Sequence, residues 1–445
     1  MRFIRSVGSR RIVGSFLRIR FVEIGLVLAT LVGCSSTFSD SDSDGVSDRL
    51  EGRLGTDPND QDTDGDGLFD GAELEGFTSP LHPDSDGDGR LDGEDPVTDS
   101  PSRVTTPISS GNDVEPNNSV DDAVALSAAG NARLTLLGRI DQFSDVDLFH
   151  IGELRAGDSV TVDLLRDEGT LVPAVALFDA EEVLVDLAWP VGRTAEGGLP
   201  GLLSTVIHHA SHTYLLAITR RPDEGGLGGY QLDVLVERAG PKVAPRPQTV
   251  YLDFDGGRPE VPLLGVRNVE AFDAGRISAL YAGKTETIKQ AIVETVRENF
   301  AGFQVFVVTS DESTVIDRRS VSTLLIGSYN RDAFGVSEGV DSYNTDPCDD
   351  GMVFAESFVP GVFGFVPRAE LIGVAIGNVA SHEIGHLLGL RHVGDPTALM
   401  DERSPAVSLL RGQEFKKARL APSVFPLGWQ DDRRLLAEAV GRQPD

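Results

Sequence analysis

His382, Glu383, His386, Gly389 and His392 fall within one stretch, His382-Glu383-Ile384-Gly385-His386-Leu387-Leu388-Gly389-Leu390-Arg391-His392. Its residue types and spacing suit a bound metal ion and an activated water. His382 and His386 stand at i and i+4, so on a helix both imidazoles leave the same face one turn apart and reach one ion. Glu383 sits beside them, placed to hold a water. Gly389 follows the second histidine where a helix can end in a residue at positive φ with little steric cost, and the reversal presents His392 as a third ligand. Three neutral imidazoles leave zinc's fourth tetrahedral position open, as a catalytic site requires and a structural site does not.

The stretch resembles the metzincin metallopeptidases, whose pattern His-Glu-x-x-His-x-x-Gly-x-x-His is complete in residues 382–392. That family also has a methionine in a turn beneath the metal, and Met400, in Thr397-Ala398-Leu399-Met400-Asp401, is the matching position. The resemblance implies a zinc cofactor, a protein or peptide substrate, Glu383 as the general base, and Met400 as an apolar floor rather than a ligand. A matrixin-like branch is preferred, although Val393 follows the third histidine where better-known branches carry characteristic residues. No tyrosine lies just after Met400 to serve as a further ligand.

A chain of 445 residues is too long for one ordinary core and predicts several domains. Its formal charge of −31 excludes nucleic acid as a natural partner, because phosphate would be repelled. Residues 1–34 read as a targeting segment: six arginines, Arg2 to Arg20, precede an apolar run from Ile24 to Val32 that is too short to span a bilayer as a mature helix. The end of this segment, Leu31-Val32-Gly33-Cys34, resembles a bacterial lipoprotein signal. That resemblance implies cleavage before Cys34, lipidation of Cys34 and a membrane anchor in the cell envelope, on the outer membrane because Ser35 follows. A plain secretory signal with an incidental cysteine is the alternative.

Residues 35–101 are acidic in a regular way. Asp40, Asp42, Asp44, Asp48 and Glu51 recur as Asp62, Asp64, Asp66, Asp70 and Glu73, then as Asp84, Asp86, Asp88, Asp92 and Asp95, with Gly45, Gly67 and Gly89 at the same place in each repeat. Spacing of this kind puts hard oxygen ligands around calcium, with the glycine at the sharp turn. A solvated acidic linker would explain the charge but not the period. Gly55-Thr56-Asp57-Pro58 and Pro80-Leu81-His82-Pro83 exclude the long helices of paired EF-hands. The repeats instead resemble thrombospondin type 3 repeats, which implies a calcium-ordered stalk.

Residues 102–112 read as a linker. Residues 113–237 show short runs such as Ser159–Leu164, Ala174–Phe178, Thr213–Ile218 and Tyr230–Val234, read as alternating strands of an antiparallel β-sandwich. Glu115-Pro116-Asn117-Asn118, Asp145-Val146-Asp147-Leu148-Phe149 and the Gly228–Val234 strand resemble the pre-peptidase C-terminal domain of secreted bacterial proteases. Glu115, Asn117, Asp145 and Asp147 fit either a further calcium or solvated turns. His208, His209 and His212 read as strand-edge and turn residues.

Residues 238–445 then supply the α/β catalytic domain. The expected order is a strand at Thr249–Phe254, a helix over Thr285–Phe300, strands at Phe303–Val308 and Thr323–Ile326, an antiparallel edge strand at Met352–Ala355, the histidine-bearing helix from about Ile372 or Gly377 to Leu388, and a closing helix over Gln430–Val440. Cys348, among aspartates that disfavour its thiolate, is expected to be a bystander. The sequence therefore predicts a multidomain chain: calcium-loop stalk, all-β sandwich, metzincin-like zinc peptidase. The alternative function is a non-catalytic calcium-dependent adhesin or scaffold, which would have no use for the Glu383 carboxylate.

Overall fold

The computed structural model describes residues 41–44, 56–76, isolated positions to 93, 111–112, 115–126 and 131–444, apart from short gaps at 168, 191–198, 223–225, 259, 262–264, 313–320 and 404. Cys34 and the signal segment, together with Asp40, Asp48, Glu51, Asp84, Asp86, Asp88, Asp92 and Asp95, lie outside the described residues. Within the acidic region a short helix, α1 (Asp70–Gly76), follows the second loop. No described helix is long and apolar enough to cross a membrane.

Ten strands form a two-sheet sandwich: β1 (Gly111–Asn112), β2 (Val124–Ala125), β3 (Ala132–Ile140), β4 (Asp147–Leu154), β5 (Ser159–Asp167), β6 (Pro173–Asp179), β7 (Leu184–Ala188), β8 (Leu199–Val206), β9 (Ser211–Arg220) and β10 (Gly228–Glu237). The sheets run β1-β3-β10-β5-β8 and β2-β4-β9-β6-β7. On β10, Tyr230, Leu232, Val234 and Val236 face the core while Gln231, Asp233, Leu235 and Glu237 are half-buried, as period-two alternation requires.

β6 and β9 do not alternate. Ala174–Phe178 and Tyr214–Ile218 are apolar and buried on both faces. Val175, Leu177, Leu216 and Ile218 fill the space between the sheets. Ala174, Ala176, Phe178, Leu215 and Ala217 instead pack outwards against Leu420, Ala421, Val424 and Phe425 of the C-terminal half. A strand covered on both sides reads as a continuous apolar run, so the alternation expected of these two runs is absent. The sandwich shares a core with the C-terminal half.

That half holds a five-stranded sheet built from β11 (Gln248–Asp253), β14 (Val305–Thr309), β15 (Val321–Gly327), β16 (Gly335–Ser337) and β17 (Asp350–Phe354), with a small hairpin, β12 (Glu260–Val261) and β13 (Gly265–Val266), inserted after the first. The order is β14-β11-β15-β17-β16, parallel except for β16. The expected edge strand at Met352–Ala355 is therefore corrected: β17 is internal and parallel to β15, and the antiparallel edge is β16. Helices α2 (Ala274–Ile277), α3 (Thr285–Asn299), α4 (Pro360–Phe363), α5 (Ala369–Leu387) and α6 (Asp432–Ala439) accompany the sheet, with a last pair of strands, β18 (Lys417–Arg419) and β19 (Trp429–Asp431). α3 buries Ile288, Ile292 and Val296 along one stripe. α5 crosses it at Gly373 and Gly377, where a methyl group would lie 2.7 Å from the Ile288 carbonyl oxygen and 2.7 Å from Thr295 Cβ, respectively. α5 begins at Ala369, ahead of the expected Ile372 or Gly377, and α6 begins at Asp432, two residues beyond the expected Gln430.

The seam between the halves carries charge at its rim. His209 Nε2 lies 3.3 Å from Asp179 and its Nδ1 3.1 Å from Glu438, while Arg434 reaches Asp179 at 2.6 Å. Hydrogen bonding to Asp179 and then to Glu438 outweighs burial and pushes His209 up from 6.5 to about 9. A raised pKa contributes stability that is complete below the unfolded value of 6.5 and is lost as pH rises through about 9. The melting-temperature gap between wild type and His209→Gln should therefore be widest below pH 6.5 and close above about pH 9. A gap of equal size at both ends would show that this imidazolium contributes nothing.

Candidate metal centre

Helix α5 ends in a backbone arrangement that turns the chain onto the third histidine. Gly389 N–H donates to the His386 carbonyl at 3.0 Å and Leu390 N–H to the Gly385 carbonyl at 2.8 Å, the paired bonds of a Schellman motif. Gly389 has φ +94°, and a methyl group there would lie 2.9 Å from the Asp341 carbonyl oxygen and 2.9 Å from Tyr343 N. Both the conformation and the close approach of a neighbouring loop demand glycine at this position.

The turn brings His382, His386 and His392 together. Their Nε2 atoms are 3.1, 3.1 and 3.2 Å apart, and all three rings are buried. His382 Nδ1 donates to the Leu399 carbonyl at 2.9 Å and His386 Nδ1 to the Leu390 carbonyl at 2.7 Å. These bonds fix the tautomers, so the Nε2 atoms of both rings carry lone pairs that face each other across 3.1 Å. Such lone pairs repel unless a cation lies among them. The three nitrogens are close enough together for each to reach one ion at a zinc–nitrogen distance of about 2.0–2.1 Å, and three imidazoles would leave one tetrahedral position for water. Burial lowers all three imidazoles, His386 to about 4, which keeps them neutral as ligands must be. The donor set and geometry fit zinc.

Glu383 is buried on the same helix, and its Oε1 has no hydrogen-bond partner among the described residues. Burial pushes its carboxyl well above the usual carboxylate range. Against it lies Gly335 of β16, so close that a methyl group there would lie 2.7 Å from both Glu383 Cγ and Cδ. Gly335 is not marked in the sequence, because a three-residue strand containing glycine carries no periodic signal. Met400 is fully buried beneath the helix, where a methyl on Gly385 would meet its Sδ at 2.6 Å. The Met400 carbonyl accepts from Val393 N–H at 2.9 Å, which ties the residue after His392 to this floor.

Elsewhere, carboxylate oxygens of Asp62, Asp64 and Asp66 lie within 4.8 Å of one another, as do those of Glu115, Asp145 and Asp147. Gly67 takes φ +101°, and Asp62 accepts from the backbone of Gly65, Asp66 and Gly67 at 2.9–3.1 Å. Asp70 accepts from Thr63 instead, at 2.8 and 2.6 Å, and Glu73 is buried beside this loop. Asp42 accepts from the backbone of Asp44 at 3.2 Å, and Asp44 itself accepts from Gly71 N–H at 3.0 Å, which links the first repeat to the second. Cys348 Sγ donates to Asp346 at 3.3 Å and is not among the groups that converge on a metal position. His208 stacks on Tyr343, centroids 3.9 Å apart, and with His209 belongs to the seam.

The matrixin family model matches residues 335–415, from β16 through the triad to beyond Met400. Among solved structures, the chain is similar to metalloproteinase-II of Bacteroides fragilis, at 11% identity over 70% of this chain and 92% of that one, with a TM-score of 0.23. It is similar to the archaemetzincin of Methanopyrus kandleri at 14% identity over 38% and 87% of the two chains, TM-score 0.19. The pre-peptidase C-terminal domain of Bacillus anthracis collagenase matches at 12% identity over 25% and 93%, TM-score 0.18. No curated protein sequence matches. The matrixin match falls on the residues that build the triad and supports a metzincin-like zinc peptidase.

Proposed function

We propose that this chain is a zinc-dependent endopeptidase of the bacterial cell envelope. The observation that carries the reading is the convergence of three Nε2 atoms at 3.1–3.2 Å beside the buried Glu383 carboxylate, under an edge strand. Among the described residues β16 pairs only with β17, which makes its other edge the place where an extended peptide would add as a further strand. Zinc bound at the triad would polarise the scissile carbonyl and acidify the attacking water. Glu383 takes the proton from that water as its oxygen adds to the carbonyl carbon, and delivers it to the leaving nitrogen as the C–N bond breaks. Tethering by Leu399 and Leu390 keeps the imidazoles neutral and aimed at one point throughout. An adhesin or scaffold would leave the Glu383 carboxylate without a task. The test offers the purified chain a diverse peptide library with and without a zinc chelator. Internal cleavage that disappears with chelator is the expected result, and a library left intact by the zinc-loaded protein would refute the reading.

The acidic repeats are read as a calcium-ordered stalk and Cys34 as its lipid anchor. The close carboxylates of Asp62, Asp64 and Asp66 support the first reading. The Leu31-Val32-Gly33-Cys34 ending supports the second. Calorimetry should register calcium binding, and Cys34→Ala should release the protein from membrane fractions. Silence in the first experiment, or retention in the second, removes the corresponding element.

A further inference from the structure

We propose that the β-sandwich is a working part of the metal centre, with Arg391 and Gln430 as positioning residues that hold the third histidine through the sandwich strand β7. The inference deepens the peptidase reading and depends on it for its purpose.

The segment carrying His392 has left the helix, so its backbone groups need partners elsewhere. The Leu390 carbonyl takes the His386 Nδ1 proton at 2.7 Å, and the His392 carbonyl takes Ala421 N–H at 3.0 Å. Between them, Arg391 N–H donates to Gln430 Oε1 at 2.7 Å while Gln430 Nε2 donates back to the Arg391 carbonyl at 2.7 Å. A single buried amide thus does for this residue what a neighbouring strand would do. Its second Nε2 bond, to Asp432 at 2.9 Å, orients the amide.

Gln430 lies on β19, and β19 is fastened to the sandwich. Trp429 N–H donates to the Glu182 carbonyl at 2.9 Å, and Val183 and Trp429 form a parallel bridge. Just before them Gly428, at φ +90°, runs so close to Phe178 that a methyl group would lie 3.0 Å from the ring's Cζ.

The Arg391 side chain crosses the seam directly. Its Nη2 donates to the Leu187 carbonyl at 2.7 Å, and its guanidinium sits 5.8 Å from the Trp189 ring centroid. Two further residues of β7 hold the loop that pins Gly389. Tyr343 hydroxyl donates to the Val185 carbonyl at 3.0 Å, and Ser342 hydroxyl to the Asp186 carboxylate at 2.8 Å. β7 is the outer strand of its sheet, so carbonyls at Val185 and Leu187 face away from β6 and would otherwise require water. Here they are spent on the two sides of the ligand turn. Three consecutive residues, Val185, Asp186 and Leu187, therefore brace the path from Gly389 to His392.

The alternative is a seam that merely glues two halves together, and full-length variants separate the two cases. Arg391→Met removes the guanidinium at similar length, Arg391→Lys restores a donor, and Gln430→Leu removes the backbone clamp. Arg434→Met cuts a different seam contact, the 2.6 Å pair with Asp179, which touches no part of the ligand turn. Metal affinity is read by competition with a chromophoric chelator, and ligand geometry by the visible absorption of the cobalt-loaded protein. Loss of an outer partner of a metal ligand typically weakens binding about 10–100-fold, so that loss and an altered cobalt spectrum are expected for Arg391→Met and Gln430→Leu. Arg391→Lys should recover part of both. Arg434→Met should lower the melting temperature while leaving affinity within about twofold, far short of that loss. The proposal is overturned if Arg391→Met binds metal as wild type does with an unchanged cobalt spectrum, or if Arg434→Met matches its effect. Should Gln430→Leu not fold, the arginine series decides alone. A wild-type chain that binds no zinc would bring down the peptidase reading as well, whereas a zinc-binding wild type matched by Arg391→Met removes only this inference.

Discussion

Glu383→Gln should keep about one zinc per chain while losing roughly 10²–10⁴ of its rate of peptide hydrolysis. The two outcomes separate because the triad does not depend on this carboxylate. His382 and His386 are aimed by the Leu399 and Leu390 carbonyls, and the third ligand by the Schellman turn after Leu388. The amide nearly matches the carboxylate in volume, so the packing against Gly335 survives. What disappears is a group able to accept a proton and pass it on. His386→Ala should behave differently, because it removes one ligand and also the donor that the Leu390 carbonyl uses. Zinc and activity should fall together in that variant. Elemental analysis and cleavage rates on both proteins decide the matter. A Glu383→Gln chain that binds zinc and cleaves at the wild-type rate would show that some other group moves the proton.

The contrast between residues 382–392 and the rest of the site lies in how far each relation reaches along the chain. Two histidines a turn apart, a helix-ending glycine and a third histidine form a local pattern, and helix geometry alone says where the rings point. Whether a strand is internal or an edge is a non-local fact. Met352–Phe354 has the apolar run of a strand, but only its pairing with Gly335–Ser337 makes it internal, and those three residues announce nothing by themselves. The seam was partly legible. Ala174–Phe178 and Tyr214–Ile218 are apolar at successive positions, which already argues for burial on both faces. Their cover, Leu420, Ala421, Val424 and Phe425, lies in a stretch of turns with no period to read. Gln430 looked like the start of a helix. Asp431 caps that helix instead, accepting Arg434 N–H at 3.1 Å, which leaves the Gln430 amide to serve the backbone of Arg391.

Gly335→Ala should separate zinc binding from catalysis by a route that leaves every ligand and the carboxylate itself in place. Gly335 does not occupy the left-handed region, so alanine meets no backbone penalty there. Its methyl group, however, would lie 2.7 Å from Glu383 Cγ and Cδ, closer than side-chain atoms normally approach. Either β16 moves outward or the carboxylate turns away. Overpacking of this kind costs about 1–3 kcal/mol, which should appear as a lower melting temperature without loss of the fold. Zinc content should remain that of wild type, since the three atoms nearest the new methyl group all belong to Glu383. Displacing a reacting group by about 1 Å can cost on the order of 10²-fold in rate, and a fall of that size in kcat/KM is expected. The double variant Gly335→Ala/Glu383→Gln sharpens the test. If the methyl group acts through the carboxylate, adding it to a chain that already lacks the base should change the rate little, because the two substitutions remove the same contribution. Fully multiplicative losses would mean that Gly335 serves the substrate path along β16 rather than Glu383. A Gly335→Ala chain cleaving at the wild-type rate would mean that the carboxylate has room to spare.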